Sequence, residues 1–390
     1  MMRRYLLIIT LGWMLPLFTF VSINWLVDPY RIFHKPWVRD NYYPNDTGMR
    51  AEAAGIINTE DFDSIILGTS MADNFSAKEA DQIFGAHFVN ISLRGSTLSE
   101  RSFVLSYVLH KRAVKNVIYS LDIFAFDAQS VAGTPMASYT YLYDDNPFND
   151  LVLYASSPKI FRYALCRNIV VSSDRLCQNR RNDLETLVEW HSIWEHSKRF
   201  GGLNKWLEAK DNPQIIDALT SLSKSIRIIG SGTVSPVNWE QVKQANVEHE
   251  HVFRINLLDA AISHPDTRFY FFFPPYSRLN YAILKQSDPQ RFEEYLGILR
   301  FVVNECAKHP NIHVFGFETE DFLDDIANYK DTEHYHQRFN SAMLHWMKNG
   351  EHELTPNNLE PYIQEITARA AAYRLREIGA KIDSYVAKTH

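Results

Sequence analysis

The 390-residue chain carries 40 Lys and Arg against 46 Asp and Glu, a net charge of −6. That balance excludes the basic footprint of a nucleic-acid binder. The length gives one large domain or two smaller ones ample material for a core.

The chain opens on the basic Met1-Met2-Arg3-Arg4, and Tyr5 to Val27 then carries no charge. At about 1.5 Å per residue a helix of that length crosses a hydrocarbon core of about 30 Å. Pro16 is tolerable in such a helix, and Trp13 and Trp25 suit interfacial depth. The main alternative is a cleaved signal peptide. The run is long for that, and no small-x-small cleavage site stands before Asp28. Residues 1–27 are therefore read as an uncleaved transmembrane anchor. Arg3 and Arg4 point the amino terminus to the cytoplasm and leave the rest outside. Residues 28–60 read as a polar, aromatic stalk followed by a lead-in helix, Met49 to Asn58.

From Asp61 the rhythm is strand, helix, strand. Strand candidates are Ser64–Leu67, Phe88–Leu93, Asn116–Leu121, Arg268–Phe273 and Ile312–Phe317. Helix candidates between them are Ser76–Phe84, Leu98–Lys111, Val252–Ser263 and Pro289–Lys308, with Thr97 and Glu100 spaced for a capping box. This alternation predicts an α/β domain over 61–348, a parallel sheet with helices on both faces in flavodoxin-like order. The rhythm lapses over about 127–250, read as one helical insertion after the third strand, either a lid or acceptor-binding wall or ordinary packing. Within it, Cys166 and Cys177 bracket a short segment and could close a disulfide in an oxidising compartment. Cys306 is expected to be a buried apolar residue. Pro274-Pro275 ends the fourth strand and sends Tyr276 or Ser277 over the sheet edge, where they would form a wall of a site. Residues 349–390 read as a helical tail.

The first strand stops at Gly68-Thr69-Ser70. A serine on the tight turn after a buried strand sits at the carboxyl end of the sheet, where open α/β folds bind ligands. The N–H groups at the start of the next helix would favour negative charge at the same spot. A bland reading is a phosphate-binding or structural turn. A nucleophilic serine needs a base, and after the last strand candidate stands Asp331-Thr332-Glu333-His334, just before an amphipathic helix at Gln337 to Met347. His334 could take the Ser70 proton while Asp331 fixes the imidazole tautomer. His336 is the runner-up base. His191 with His196, and His249-Glu250-His251, lack the further ligands a metal needs, and no metal or cofactor is expected. Asn45-Asp46-Thr47 and Asn90-Ile91-Ser92 match a glycosylation pattern, the second inside a strand candidate and so accidental.

Gly68-Thr69-Ser70, Asn90-Ile91-Ser92-Leu93-Arg94-Gly95-Ser96 and Asp331-x-x-His334 resemble blocks I, II and V of the SGNH (GDSL-like) hydrolase superfamily. The likeness is to its membrane-anchored branch in bacterial envelopes, with the alginate O-acetylation and DltD-like proteins. It implies Ser70 as nucleophile and oxyanion donor, the Gly95 N–H as second donor, and Asp331 and His334 as orienter and base. Thr69 stands where many members have Asp. Block III, whose Asn side chain usually completes the oxyanion hole, has no clear counterpart. Asp122 occupies about that place and cannot donate when ionised, and Asn74 is a substitute donor. The resemblance implies a serine acyltransferase or esterase acting on O-acyl, chiefly O-acetyl, groups of an envelope or secreted polysaccharide. It would be tethered to the bacterial inner membrane with its main domain in the periplasm, and fed by a multi-pass acyl-donor partner. The alternative is a non-catalytic scaffold or binding subunit of a polysaccharide export or modification complex.

Overall fold

Five short apolar runs pair into one sheet: β1 (Ser64–Leu67), β2 (Phe88–Asn90), β3 (Asn116–Ser120), β4 (Arg268–Phe273) and β5 (Ile312–Gly316). The computed structural model describes residues 2–35, 48–122, 126, 131–161, 164, 197–209 and 212–389, with backbone alone for 2–11 and 383–389. Every pairing is parallel and the order is β2-β1-β3-β4-β5. Ile66 lies opposite Ile118, and Ile118 opposite Tyr270. β1 and β3 are buried along their whole length. Helices cover both faces of such a strand, so its sequence is a continuous apolar run without alternation. In this doubly wound order the connections leaving β1 and β3 diverge, which opens a crevice at their carboxyl ends.

The main helices are α1 (Met2–Val27), α2 (Met49–Thr59), α3 (Ala77–Phe84), α4 (Leu98–Lys111), α5 (Pro213–Ser231), α6 (Trp239–Phe253), α7 (Arg278–Ser287), α8 (Pro289–Cys306), α9 (Arg338–Asn349), α10 (Leu359–Ala372) and α11 (Leu375–Thr389). The α4 capping box forms as its spacing predicts: the Thr97 side chain accepts the Glu100 N–H, and Glu100 reaches back to the Thr97 N–H. Three elements differ from expectation. α6 begins at Trp239 and runs on through a π-turn, Arg254–Leu258, into Asp259–Ile262. The crossover helix to β4 therefore takes in residues assigned to the insertion. α7 is new, and Ser277 caps it by accepting the Asn280 N–H. The tail is two helices, broken where Tyr373 turns extended.

α1 is a continuous helix of 26 residues. Among the described residues no helix is long and apolar enough to cross a membrane, and the α1 side chains described begin at Gly12. Gly12 to Thr19 are exposed, whereas Asn24 is buried. The Asn24 Nδ2 donates to the Ala155 and Ser157 carbonyls at 2.7 and 3.2 Å, and the Phe20 ring packs on Phe161 at 4.6 Å. Asp28 ends the helix by accepting the Ile32 and Phe33 N–H groups and the Tyr154 hydroxyl. Cys306 is a buried free thiol. Cys166 and Cys177 lie outside the described residues, so the disulfide expected there does too.

Candidate active site

Ser70 follows β1 through Gly68, where the backbone passes too close to its neighbours to carry a side chain. A Cβ there would collide with the Ser120 side chain and with Ala72. The chain then coils through Thr69 to Phe75, with the Ala72 N–H on the Thr69 carbonyl and the Phe75 N–H on that of Ala72. α3 starts only after this coil, with Ser76 taking its Glu79 N–H. The expected donors at a helix start are thus replaced by turn amides. Met71 donates its N–H to Thr69 Oγ1 at 3.2 Å. Among the described residues the Ser70 N–H has no protein acceptor.

His334 comes from the far end of the chain. After β5 the segment Asn328 to His336 closes into a small hairpin, with Tyr329 bridged to Tyr335 and the Lys330 N–H on the His334 carbonyl at 3.0 Å. Asp331 sits in its tip and accepts the Glu333 and His334 N–H groups at 2.9 and 2.8 Å. The same carboxylate lies 2.8 and 2.9 Å from His334 Nδ1. An ionised carboxylate only accepts, so Nδ1 carries the proton and Nε2 presents its lone pair. Nε2 stands 2.9 Å from Ser70 Oγ, across 264 residues of sequence. Sequence reasoning named this trio, and the structure brings all three together within hydrogen-bond reach.

The electrostatics suit a base. Burial pushes the His334 pKa down, Asp331 opposes this, and Lys330 and Arg199 add to it, so the imidazole rests below its ordinary value. Burial alone would raise the Asp331 pKa, but the His334 charge and hydrogen bonds, with Lys330, hold the carboxyl well below the carboxylate range. The two flanking residues are perturbed as well. Burial lowers Lys330 to about 7. Burial, then Asp331 and Asp122, raise Glu333 to about 7.

Gly95 occupies the exposed tip of the β2–α4 loop with φ +59°, a left-handed conformation that favours glycine. Among the described residues its N–H has no protein acceptor. Its loop is fastened to the Ser70 coil. The Leu93 N–H reaches the Gly68 carbonyl at 2.8 Å, and Asn90 Nδ2 the Ala72 carbonyl at 2.9 Å. Arg94 grips Asp73 Oδ2 through Nε and Nη2 at 2.8 and 2.6 Å. Asn74 is buried inside that coil.

Asp122 and Tyr276 stand behind the coil. The Asp122 carboxylate accepts the Thr69 hydroxyl at 2.7 Å, the Ser120 hydroxyl at 2.8 Å, the Tyr276 hydroxyl at 3.2 Å and Arg101 Nη1 at 3.4 Å. It is an acceptor for four donors and fixes the turn from below. Tyr276 is buried with its hydroxyl turned inward, so it belongs to this floor and not to an exposed wall. Ser277 likewise turns inward, its hydroxyl on the Thr332 carbonyl at 2.5 Å. His336 accepts the Arg338 N–H at 3.2 Å and packs on Phe200, away from the base position.

Sequence reasoning missed the fasteners. The Met71 carbonyl, beside the nucleophile, accepts the Tyr335 hydroxyl at 2.9 Å and Asn340 Nδ2 at 3.2 Å. Alternation within the hairpin is the signal for Tyr335, since it places neighbours of His334 on the opposite side. Nothing in the sequence marks Asn340. The insertion braces the same hairpin through Trp206 Nε1 on the Tyr329 carbonyl at 3.2 Å and the Gly201 N–H on that of Ala327 at 3.1 Å.

Compared with known proteins, the chain matches no family model, no curated protein and no solved structure.

Proposed function

We propose that this chain is a serine acyl-transfer enzyme of SGNH type, anchored by α1 on the outer face of a bacterial inner membrane. The observation that carries it is the Asp331–His334–Ser70 relay, with single contacts of 2.8 to 2.9 Å. Ser70 Oγ attacks the acyl carbonyl carbon while His334 Nε2 takes the hydroxyl proton, and Asp331 holds the imidazolium. The Ser70 and Gly95 N–H groups donate hydrogen bonds to the oxyanion between them. Collapse expels the first alcohol with the proton from His334 and leaves an acyl-Ser70 ester. A second hydroxyl, deprotonated by His334, then takes the acyl group as the bond to Ser70 Oγ breaks and His334 returns the proton to that oxygen: a sugar hydroxyl in a transferase, water in an esterase.

The parallel sheet order, the position of Ser70 after β1 and the Asp-x-x-His hairpin after β5 support the SGNH reading. The uncharged run from Tyr5 to Val27 supports the anchor. The motif resemblance supports O-acetyl groups of an envelope or secreted polysaccharide as substrate, and a multi-pass partner as acyl donor. The second reading is a non-catalytic scaffold, favoured by the missing block III donor: Asp122, at about that place in the sequence, lies behind the Ser70 coil as an acceptor for four donors.

A burst assay separates the two. Full-length protein in detergent, given p-nitrophenyl acetate, is expected to release one equivalent of nitrophenolate rapidly. Intact-mass spectrometry is expected to show one added acetyl group, and both signals disappear in Ser70→Ala and His334→Ala. A folded protein that gives neither burst nor adduct favours the scaffold, or an acyl donor that only the membrane partner presents. Candidate glycans added to the acetylated enzyme then sort transferase from esterase.

A further inference from the structure

The insertion shows a second apolar feature that the relay does not use. Pro147–Asn149 forms one helical turn and Asp150–Tyr154 a π-turn. Phe148 is 68% exposed, and Leu151, Val152 and Leu153 are 44%, 43% and 49% exposed. We propose that Phe148, Leu151, Val152 and Leu153 insert into the lipid interface beside α1, as a second membrane contact that fixes the tilt of the catalytic domain. This rests on the reading of α1 as the anchor.

Three observations select lipid as the occupant. First, the knob is tied to the carboxyl end of α1, where Trp25 and Leu26 are exposed, and Trp13, Leu15 and Phe18 are exposed further up the same helix. The residue after the π-turn, Ala155, receives the Asn24 Nδ2, and Tyr154 donates its hydroxyl to Asp28. The knob is therefore bolted to α1 within its last turn. Second, Leu151, Val152 and Leu153 are consecutive. Phe148, Leu151 and Val152 stand at i, i+3 and i+4, and Leu153 adds an exposed apolar residue outside that stripe. An apolar knob wider than one stripe fits a fluid. Third, the acidic residues before it are engaged. Asp145 pairs with Lys111 and accepts the Tyr107 hydroxyl, and Asp144 accepts the Asn146 N–H and Asn149 Nδ2. Asp150, the first residue of the π-turn, buries one carboxylate oxygen with no hydrogen-bond partner among the described residues.

The test uses full-length protein in phosphatidylethanolamine and phosphatidylglycerol vesicles, with p-benzoylphenylalanine placed singly at Phe18, Phe148, Leu153 or Val247. After irradiation, mass spectrometry identifies what each position has joined. Lipid adducts at Phe18, Phe148 and Leu153, with at least a tenfold lower yield at Val247, are the expected result. Adducts at Phe18 alone leave the anchor standing and overturn the second contact. Joining of Leu153 to protein overturns it too, because a protein then covers the knob. No lipid adduct at any position removes the anchor, and the inference falls with it.

Discussion

Thr69 uses its hydroxyl twice. It donates to Asp122 and accepts the Met71 N–H, so the next amide in the coil is consumed while that of Ser70 faces the crevice. A carboxylate acceptor for a hydroxyl bond contributes about 1.5–3 kcal/mol. Asp122→Asn removes the charge and forces one amide N–H toward existing donors. Its kcat is expected to fall about tenfold to a hundredfold at nearly constant KM, with an unchanged circular dichroism spectrum. A loss confined to KM would place Asp122 against the substrate instead. The pH dependence belongs to the same scale. In the proposed mechanism His334 acts as neutral imidazole, and burial lowers its pKa below the ordinary 6.5. The acid limb of kcat/KM should therefore lie below pH 6.5, with full rate kept in mildly acidic buffer. A limb centred above pH 7 would assign the base elsewhere. Asp331→Asn frees the wrong tautomer and is expected to cost about 10⁴-fold in kcat, measured by the same burst.

Elements were legible where a single physical demand wrote the sequence. β1 and β4 are buried runs, so their apolar residues mark both ends. α4 announces its start because Thr97 and Glu100 satisfy its first free N–H groups. Thr97→Ala should lower stability by about 1 kcal/mol, read as a shift in urea midpoint, without touching the acyl-enzyme burst. Gly68→Ala sits at the end of β1 and should do the reverse of a surface change. The added methyl meets Ser120 and Ala72, which displaces the Thr69–Ser70 turn and should abolish the burst even in protein that folds. α7 was illegible because Pro274-Pro275 reads as a loop, and the helix that follows is held by tertiary contacts. The Arg278 guanidinium, for example, donates to the Glu318 and Glu320 carbonyls. The trio Ser70, Asp331 and His334 was legible from residue chemistry and chain order. The fasteners on Met71 were not, because a carbonyl leaves no mark in a sequence.

Across the whole molecule, buried ionisable groups tie stability to pH. Glu318 is fully buried beneath the hydroxyls of Tyr295 and Tyr362. Burial pushes its carboxyl up to about 7, from 4.5. The folded protein thus holds a proton that the unfolded chain releases at lower pH. The stabilisation is complete below the unfolded value and is lost as pH rises through about 7. Urea midpoints should fall from about pH 5 to about pH 8, and Glu318→Gln should flatten that fall relative to the parent chain. Identical slopes in the two proteins would show that another group carries it. The base hairpin has a comparable dependence on distant chain, since Trp206 and Gly201 of the insertion brace it.

The sequence separation of 264 between Ser70 and His334 also orders events in time. In the proposed mechanism the nucleophile leaves the ribosome early, and the base follows only after all five strands. A nascent chain carries an ordinary serine hydroxyl throughout most of its synthesis and gains reactivity at the end. On the proposed function, fragments clipped or terminated before the hairpin inherit Ser70 without its partner and would be chemically silent.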